Sequence, residues 1–202
     1  MNRSRPAWAK DFERGGLLFV ITGPSGVGKT TIIDRLLKEE EDLAYSVSHT
    51  TREKRAGERH GRDYYFVDEE EFCRLKGEGE FLEWARVYGE YYGTSRSEVN
   101  RKLEKGQDVL MDIDIQGAQG IMASEIEAAF IFVGPPSKEE LLKRLQRRGS
   151  EGDEQKDLRL SLAQQELSQV GEFDYLVIND RLEEAVGGLR AIVRAERLRL
   201  PL

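Results

Sequence analysis

Eight consecutive residues hold the groups best suited to chemistry: Gly23, Pro24, Ser25, Gly26, Val27, Gly28, Lys29 and Thr30. Glycines at 23, 26 and 28 can take backbone angles that a Cβ disfavours. Successive N–H groups in such a turn converge on phosphate oxygens, helped by the positive end of a following helix. Lys29 adds a point charge suited to β- and γ-phosphates, and the Thr30 hydroxyl can ligate Mg²⁺. The spacing is that of a P-loop, and Thr31 extends the set into the next element. This stretch predicts a site for a nucleoside triphosphate.

A second group of candidates follows. Residues 50–58 have no apolar periodicity and read as loop, yet they place Arg52 and Arg55 close together. Both are guanidinium forks able to grip a phosphate through paired hydrogen bonds. Phenol donors at Tyr64 and Tyr92 could complete a cradle for a second, smaller phosphate. Glu83 lies in an aromatic and aliphatic run, where a carboxylate without a partner would be costly. A guanine would offer it two adjacent donors, N1–H and the exocyclic amine.

These residues need elements to hold them. The run Leu17 to Ile21 reads as a buried strand, and Thr31, Ile32, Ile33, Leu36 and Leu37 fall at helical spacing, so the glycine turn joins strand to helix. The acidic residues Glu39 to Asp42 read as a solvated helix end. Short strands are expected at 46–48 and 63–67, and Asp68 with Glu71 forms a capping box for a helix. Residues 81–87 and 91–94 read as a hairpin, and Ser95 with Glu98 as a second capping box. Strands at 109–111, 129–133 and 175–178 then alternate with helices opening near Gln116, at Ser137 and at Asp180, and a further helix is expected from Leu158 to Val170. The stretch 149–156 is acidic and reads as mobile. Alternating strands and helices predict a mainly parallel sheet covered on both faces. Such sheets take ligands at the carboxyl ends of their strands, where Gly23, Asp112 and Gly134 fall.

Bulk composition narrows the classes. A net charge of −7 opposes a nucleic-acid-binding role, and the local arginines suggest discrete phosphate sites. No apolar run is long enough to span a bilayer, and no apolar segment follows the basic N-terminus, so neither a membrane partner nor a signal peptide is expected. One cysteine, Cys73, excludes an internal disulfide, suits a reducing cytoplasm, and reads as a small apolar filler beside Phe72. His49 and His60 lack neighbouring ligands for zinc.

With these residues in view, the sequence resembles guanylate kinase of the bacterial type, the enzyme that phosphorylates GMP at the expense of ATP. The likeness rests on residues 46–58, Gly61 to Tyr64, Phe81 to Trp84, Tyr91 to Thr94, Asp112 to Gly117 and Ile178 to Asp180. It covers nearly everything from Gly16 onward, with Thr94 and the pair Glu53 and Lys54 at positions where the family varies. The resemblance implies a P-loop NTPase-like three-layer sandwich with a parallel core sheet, a mixed β/α insertion for the monophosphate, and a helical lid. Its boundaries would be a flexible tail at 1–15, core at 16–47, 96–148 and 171–202, the GMP-binding insertion at 48–95, and the lid at 149–170.

By the same resemblance Arg52, Arg55, Tyr64 and Tyr92 would hold the GMP phosphate, and Ser48, Glu83, Thr94 and Asp114 would read guanine. Asp112 would stand near Mg²⁺ and the transferring phosphate, and Arg144, Arg148 and Arg159 would meet the ATP phosphates. The partners implied are ATP and GMP (dGMP by the same contacts), with the protein a monomer or a homodimer. Catalysis would then rest on positioning and charge compensation, needing no general base. Two rivals share these features: another nucleoside monophosphate kinase, and a non-catalytic guanylate-kinase-like module that recruits peptides. An intact Gly28, Lys29 and Thr30 opposes the second.

Overall fold

The computed structural model describes residues 15–147, 161 and 163–200. Its first strand, β1 (Leu18–Thr22), is buried along its whole length. That continuous burial is what a parallel strand covered on both faces requires, and it explains the unbroken apolar run. Alternate side chains feed two cores. Phe19 and Ile21 pack with Ile32, Ile33, Leu36, Leu189 and Val193, whereas Leu18 and Val20 pack with Val99, Val109, Met111 and Ile121. The sheet is therefore the middle of three layers.

The elements follow in the order α1 (Lys29–Glu39), β2 (Leu43–Tyr45), β3 (His49–Thr50), β4 (Tyr65–Phe66), α2 (Glu69–Gly77), β5 (Phe81–Val87), β6 (Glu90–Ser95), α3 (Arg96–Glu104), β7 (Asp108–Asp112), α4 (Ile115–Met122), β8 (Ala129–Gly134) and α5 (Lys138–Arg147). After a helical stretch at 163–168, here α6, come β9 (Tyr175–Ile178) and α7 (Leu182–Leu198). The core sheet runs β2-β7-β1-β8-β9, and all four pairings are parallel. β1 is central, so connections leave it toward both edges and open a crevice at its carboxyl end. A second, mixed sheet runs β4-β3-β6-β5, with β5 and β6 forming the hairpin.

Local signals set several helix starts. Asp68 accepts a hydrogen bond from the Glu71 N–H at 2.8 Å, Ser95 from Glu98 at 3.3 Å and Ser137 from Glu140 at 3.1 Å. Such caps satisfy N–H groups that a helix leaves unpaired at its start.

Other expectations change. Residues 46–48 are not strand; β2 and β3 flank them, and the expected strand at 63–67 shrinks to two residues. The last helix starts at Leu182 after Arg181, not at Asp180. Cys73 is exposed on α2 while Phe72 fills the interior, because consecutive helical residues point about 100° apart. The acidic run after α1 is not all solvated: Glu40 is only 6% exposed. Arg197 of α7 reaches Glu40 Oε2 at 2.8 Å and Asp108 Oδ2 at 2.7 Å, and Arg194 donates to Glu40 Oε1 at 3.0 Å. Asp108 also accepts the Leu17 N–H at 2.9 Å. The expectation of mobility at 149–156 and the tail up to Arg14 lie outside the described residues.

Candidate active site

A cavity of about 560 Å³ opens at the carboxyl ends of β1 and β7, between the core and the second sheet. Its floor is the glycine turn between β1 and α1. Gly23 has φ +145°, and a Cβ there would lie 2.1 Å from the Val133 carbonyl oxygen on β8. Gly28 has φ +99°, and its Cβ would lie 2.6 Å from Asn179 Nδ2. Glycine is thus required at both positions, by backbone conformation and by close packing. The Val27 side chain is fully buried, and its N–H donates to the Pro24 carbonyl at 3.2 Å, which anchors the loop from beneath.

Lys29 folds back over this loop. Its Nζ donates to the Gly23 carbonyl at 2.6 Å and stands 3.9 Å from Asp112 Oδ1. Parallel pairing of β1 with β7 puts Asp112 beside Ile21, which is why the two charges meet. Burial pushes the Asp112 carboxyl up from its ordinary value, and Lys29 opposes the shift. Thr30 also lines the cavity. A hydroxyl and a carboxylate at one edge of a phosphate cradle are hard oxygen donors of the kind Mg²⁺ prefers, so these residues fit that ion.

The far wall carries Glu83, 8% exposed on β5. The hydroxyl of Thr94, opposite it on β6, donates to Oε1 at 2.6 Å and stands 3.3 Å from the Ser48 hydroxyl. Its other oxygen tucks against α4, where a Cβ on Gly117 would lie 2.4 Å away. Burial raises the Glu83 carboxyl to about 7; the Asp114 carboxylate adds to the rise, and the Thr94 hydroxyl opposes it. Asp114 caps α4, accepting the Gly117 N–H at 2.9 Å, and burial raises its carboxyl too.

Arg55, Tyr64 and Tyr92 line a third side. The two phenol rings meet edge to face with centroids 6.0 Å apart. Burial holds the Tyr64 phenol up at about 12, so it remains a proton donor at neutral pH. Arg52 stands beside Tyr64. Its Nη2 bonds Glu58 Oε1 at 2.8 Å, its Nη1 bonds the Glu53 carbonyl at 2.7 Å, and its guanidinium carbon lies 5.4 Å from the Tyr64 ring centroid. Glu58 also takes the Arg55 N–H at 2.8 Å. It therefore organises both arginines, although nothing in its surroundings marked it beforehand.

The structure thus brings together Gly23, Pro24, Ser25, Gly26, Gly28, Lys29, Thr30, Ser48, Arg55, Tyr64, Glu83, Tyr92, Asp112 and Asp114. Val27 and Thr94 are fully buried, Thr31 is exposed on the first turn of α1, and Arg52 is paired with Glu58 beside Tyr64. Arg144, expected to meet the ATP phosphates, bonds the loop that would hold them. Its Nη1 bonds the Val27 and Asn179 carbonyls at 3.3 and 3.1 Å, beneath the loop, while its Nε bonds Glu140 at 3.1 Å. Arg148 and Arg159 lie outside the described residues.

Sequence reasoning missed a wall of amides. Gln116 and Gln119 of α4 face Gln165, Glu166 and Gln169, and Gln119 Nε2 bonds Gln169 Oε1 at 3.3 Å and Glu172 Oε2 at 3.0 Å. Their helical spacing was visible, but glutamine has no chemistry-specific pattern to flag it.

A triphosphate loop, a metal-compatible edge and a buried carboxylate with flanking hydroxyls share one cavity. That arrangement suits transfer of a phosphoryl group between two bound nucleotides. Comparison with known proteins agrees. The family model for guanylate kinase matches residues 16–196. The chain is 48% identical over 188 residues to a guanylate kinase of Caldanaerobacter subterraneus subsp. tengcongensis, covering 93% of this chain and 91% of the relative. It is 49% identical over 183 residues to a guanylate kinase of Dechloromonas aromatica, covering 91% of each. The crystal structure of guanylate kinase from Anaplasma phagocytophilum superposes with a TM-score of 0.77 at 37% identity, covering 93% of this chain and 89% of that one.

Proposed function

From the chain's membership of the guanylate kinase family, we infer how this cavity transfers the γ-phosphoryl of ATP to GMP, giving ADP and GDP. The observation that carries the base assignment is Glu83. A carboxylate so buried, with one hydroxyl donor on one oxygen, has capacity left for the two adjacent donors of guanine. Adenine presents an acceptor at N1 and would leave that carboxylate unsatisfied. Ser48, Thr94 and Asp114 complete the base pocket, and Arg55, Tyr64 and Tyr92 hold the monophosphate. Arg52 supports Tyr64 and the loop through its contacts with the Tyr64 ring and Glu58.

The triphosphate rests on the N–H groups of the glycine turn with Lys29 above it. Thr30 and Asp112 would hold Mg²⁺, which when bound would offset negative charge on the triphosphate. A GMP phosphate oxygen attacks the γ-phosphorus, and the bond from that phosphorus to the bridging oxygen breaks, leaving ADP. Phosphate monoesters lose their second proton near pH 6, so the nucleophile is already anionic at neutral pH and no side chain need take a proton. Between two anions the protein's task is alignment and compensation by Lys29 and Arg55. The second sheet, which bears Glu83, and the segment between β3 and β4, which bears Arg55 and Tyr64, are separate from the core sheet, so their approach to the P-loop can exclude water before transfer. No helix among the described residues is long and apolar enough to cross a membrane, and we place the reaction in the cytoplasm, where ATP and GMP are available.

The test is ADP release in a coupled assay with ATP and each nucleoside monophosphate in turn. GMP should be used and AMP, CMP and UMP should not; equal use of AMP and GMP would refute the reading of Glu83. Lys29→Ala should abolish turnover and leave the circular dichroism spectrum unchanged.

A further inference from the structure

Asn179 follows the last core strand, and no role was evident for it from sequence. Its N–H donates to the Gly134 carbonyl at 2.8 Å, fixing it across the ends of β8 and β9. From there its Nδ2 donates to the Val27 carbonyl at 2.7 Å. Arg144 closes the triangle, with one Nη1 shared between the Val27 and Asn179 carbonyls. The only atom of Asn179 that can face a carbonyl oxygen at this distance is its amide nitrogen, so the side-chain orientation is unambiguous.

The consequence lies on the other side of the same peptide. In a trans peptide the C=O and the following N–H point in opposite directions. Drawing the Val27 carbonyl beneath the loop therefore turns the Gly28 N–H toward the cavity, which Gly28 lines. Among the described residues that N–H donates to no acceptor. Gly28 sits at φ +99°, with room for no side chain between it and Asn179, and rotating the Val27–Gly28 peptide would break the bond from Asn179 Nδ2 to the Val27 carbonyl. We propose that Asn179 is a positioning residue of the phosphate cradle: by anchoring the Val27 carbonyl, it presents the Gly28 N–H to the triphosphate. Arg144 reinforces the same carbonyl from α5. This rests on the P-loop taking the triphosphate but not on which monophosphate accepts the phosphoryl group.

Inorganic tripolyphosphate separates this role from any contact with the nucleoside, because it has neither base nor ribose. Asn179→Ala and the near-isosteric Asn179→Asp, which puts an acceptor against an acceptor, are compared with the parent chain. Tripolyphosphate affinity is measured by calorimetry and needs no turnover; KM for ATP and for GMP comes from the coupled assay. Loss of one oriented donor should weaken tripolyphosphate and raise KM for ATP in parallel, by about 5- to 30-fold. KM for GMP should stay within about twofold, as for an independent site. Weaker ATP with unchanged tripolyphosphate would show that Asn179 reads the nucleoside and overturn the proposal. So would unchanged affinity for both, or an equal rise in KM for GMP. If Asn179→Ala fails to fold, Asn179→Asp carries the comparison, with an unchanged melting temperature as its control. A parent that binds tripolyphosphate yet does not turn over GMP would refute the kinase reading alone.

Discussion

Protonation of Glu83 should control GMP binding across the neutral range. Burial places this carboxyl at about 7, and only the ionised form can accept both guanine donors. With that midpoint, about nine-tenths of the protein is ionised at pH 8 and about one-tenth at pH 6. KM for GMP should therefore rise about tenfold on going from pH 8 to pH 6, with about 1.4 kcal/mol corresponding to the full change. The GMP phosphate itself titrates near pH 6 and adds to the acid side of the profile. Glu83→Gln isolates that contribution. The variant should bind GMP more weakly by about 1–3 kcal/mol at pH 8, and its remaining pH dependence belongs to the phosphate alone. Thr94→Val removes the hydroxyl that lowers the Glu83 value, so its midpoint should move to higher pH.

The same group predicts a stability profile of opposite sense. The folded carboxyl sits at about 7 against an ordinary 4.5, so the folded state holds more protons between those values. Raising pH through that window therefore destabilises the empty protein, by up to about 3 kcal/mol for an undiluted shift. Glu83→Gln should melt higher than the parent at pH 8 and lose that advantage near pH 4.5. A KM for GMP that is flat from pH 6 to 8, or a profile identical in parent and Glu83→Gln, would refute the reasoning.

Two further predictions concern the loop and the core. Gly28→Ala meets both an unfavourable backbone angle and a 2.6 Å contact with Asn179. It should raise KM for ATP more than tenfold, or about 1.4 kcal/mol, and lower the melting temperature, because strain of this kind costs about 1–3 kcal/mol. Arg197→Met leaves Glu40 and Asp108 without their shared partner. Urea unfolding should show a loss of about 3–5 kcal/mol, while kcat of the folded fraction is unchanged.

Where the sequence was informative, the determining contacts were local. The strand, glycine turn and helix around Lys29, and the caps at Asp68, Ser95 and Ser137, each involve residues a few positions apart. The spacing on α7 is local too: Val186, Leu189 and Val193 fall three and four residues apart and are all buried. Long-range pairing defeated the same reasoning. Glu40 looked solvated because nothing nearby balances it; its partner Arg197 is 157 residues away. Arg52 was recognisable as a phosphate-type side chain, but its turn toward Glu58 and the Tyr64 ring depends on how the loop folds over β4 and β6. Arg144 likewise had a face and a charge in sequence, whereas its bonds to Val27 and Asn179 arise only when α5, the loop and β9 meet. Asn179 itself was visible within Ile178 to Asp180, but a lone amide does not announce which carbonyl it will hold.

The bridge from Arg197 to Glu40 and Asp108 also bears on how the chain is made. Synthesis runs from the N-terminus, so α1 and β7 are in place long before the last helix leaves the ribosome. Until α7 emerges, two acidic side chains destined for the interior have no cation to meet, and the layer around Leu36 lacks Leu189 and Val193. The nascent protein should therefore stay open to chaperones and proteases until α7 has emerged, and then become resistant in a single step.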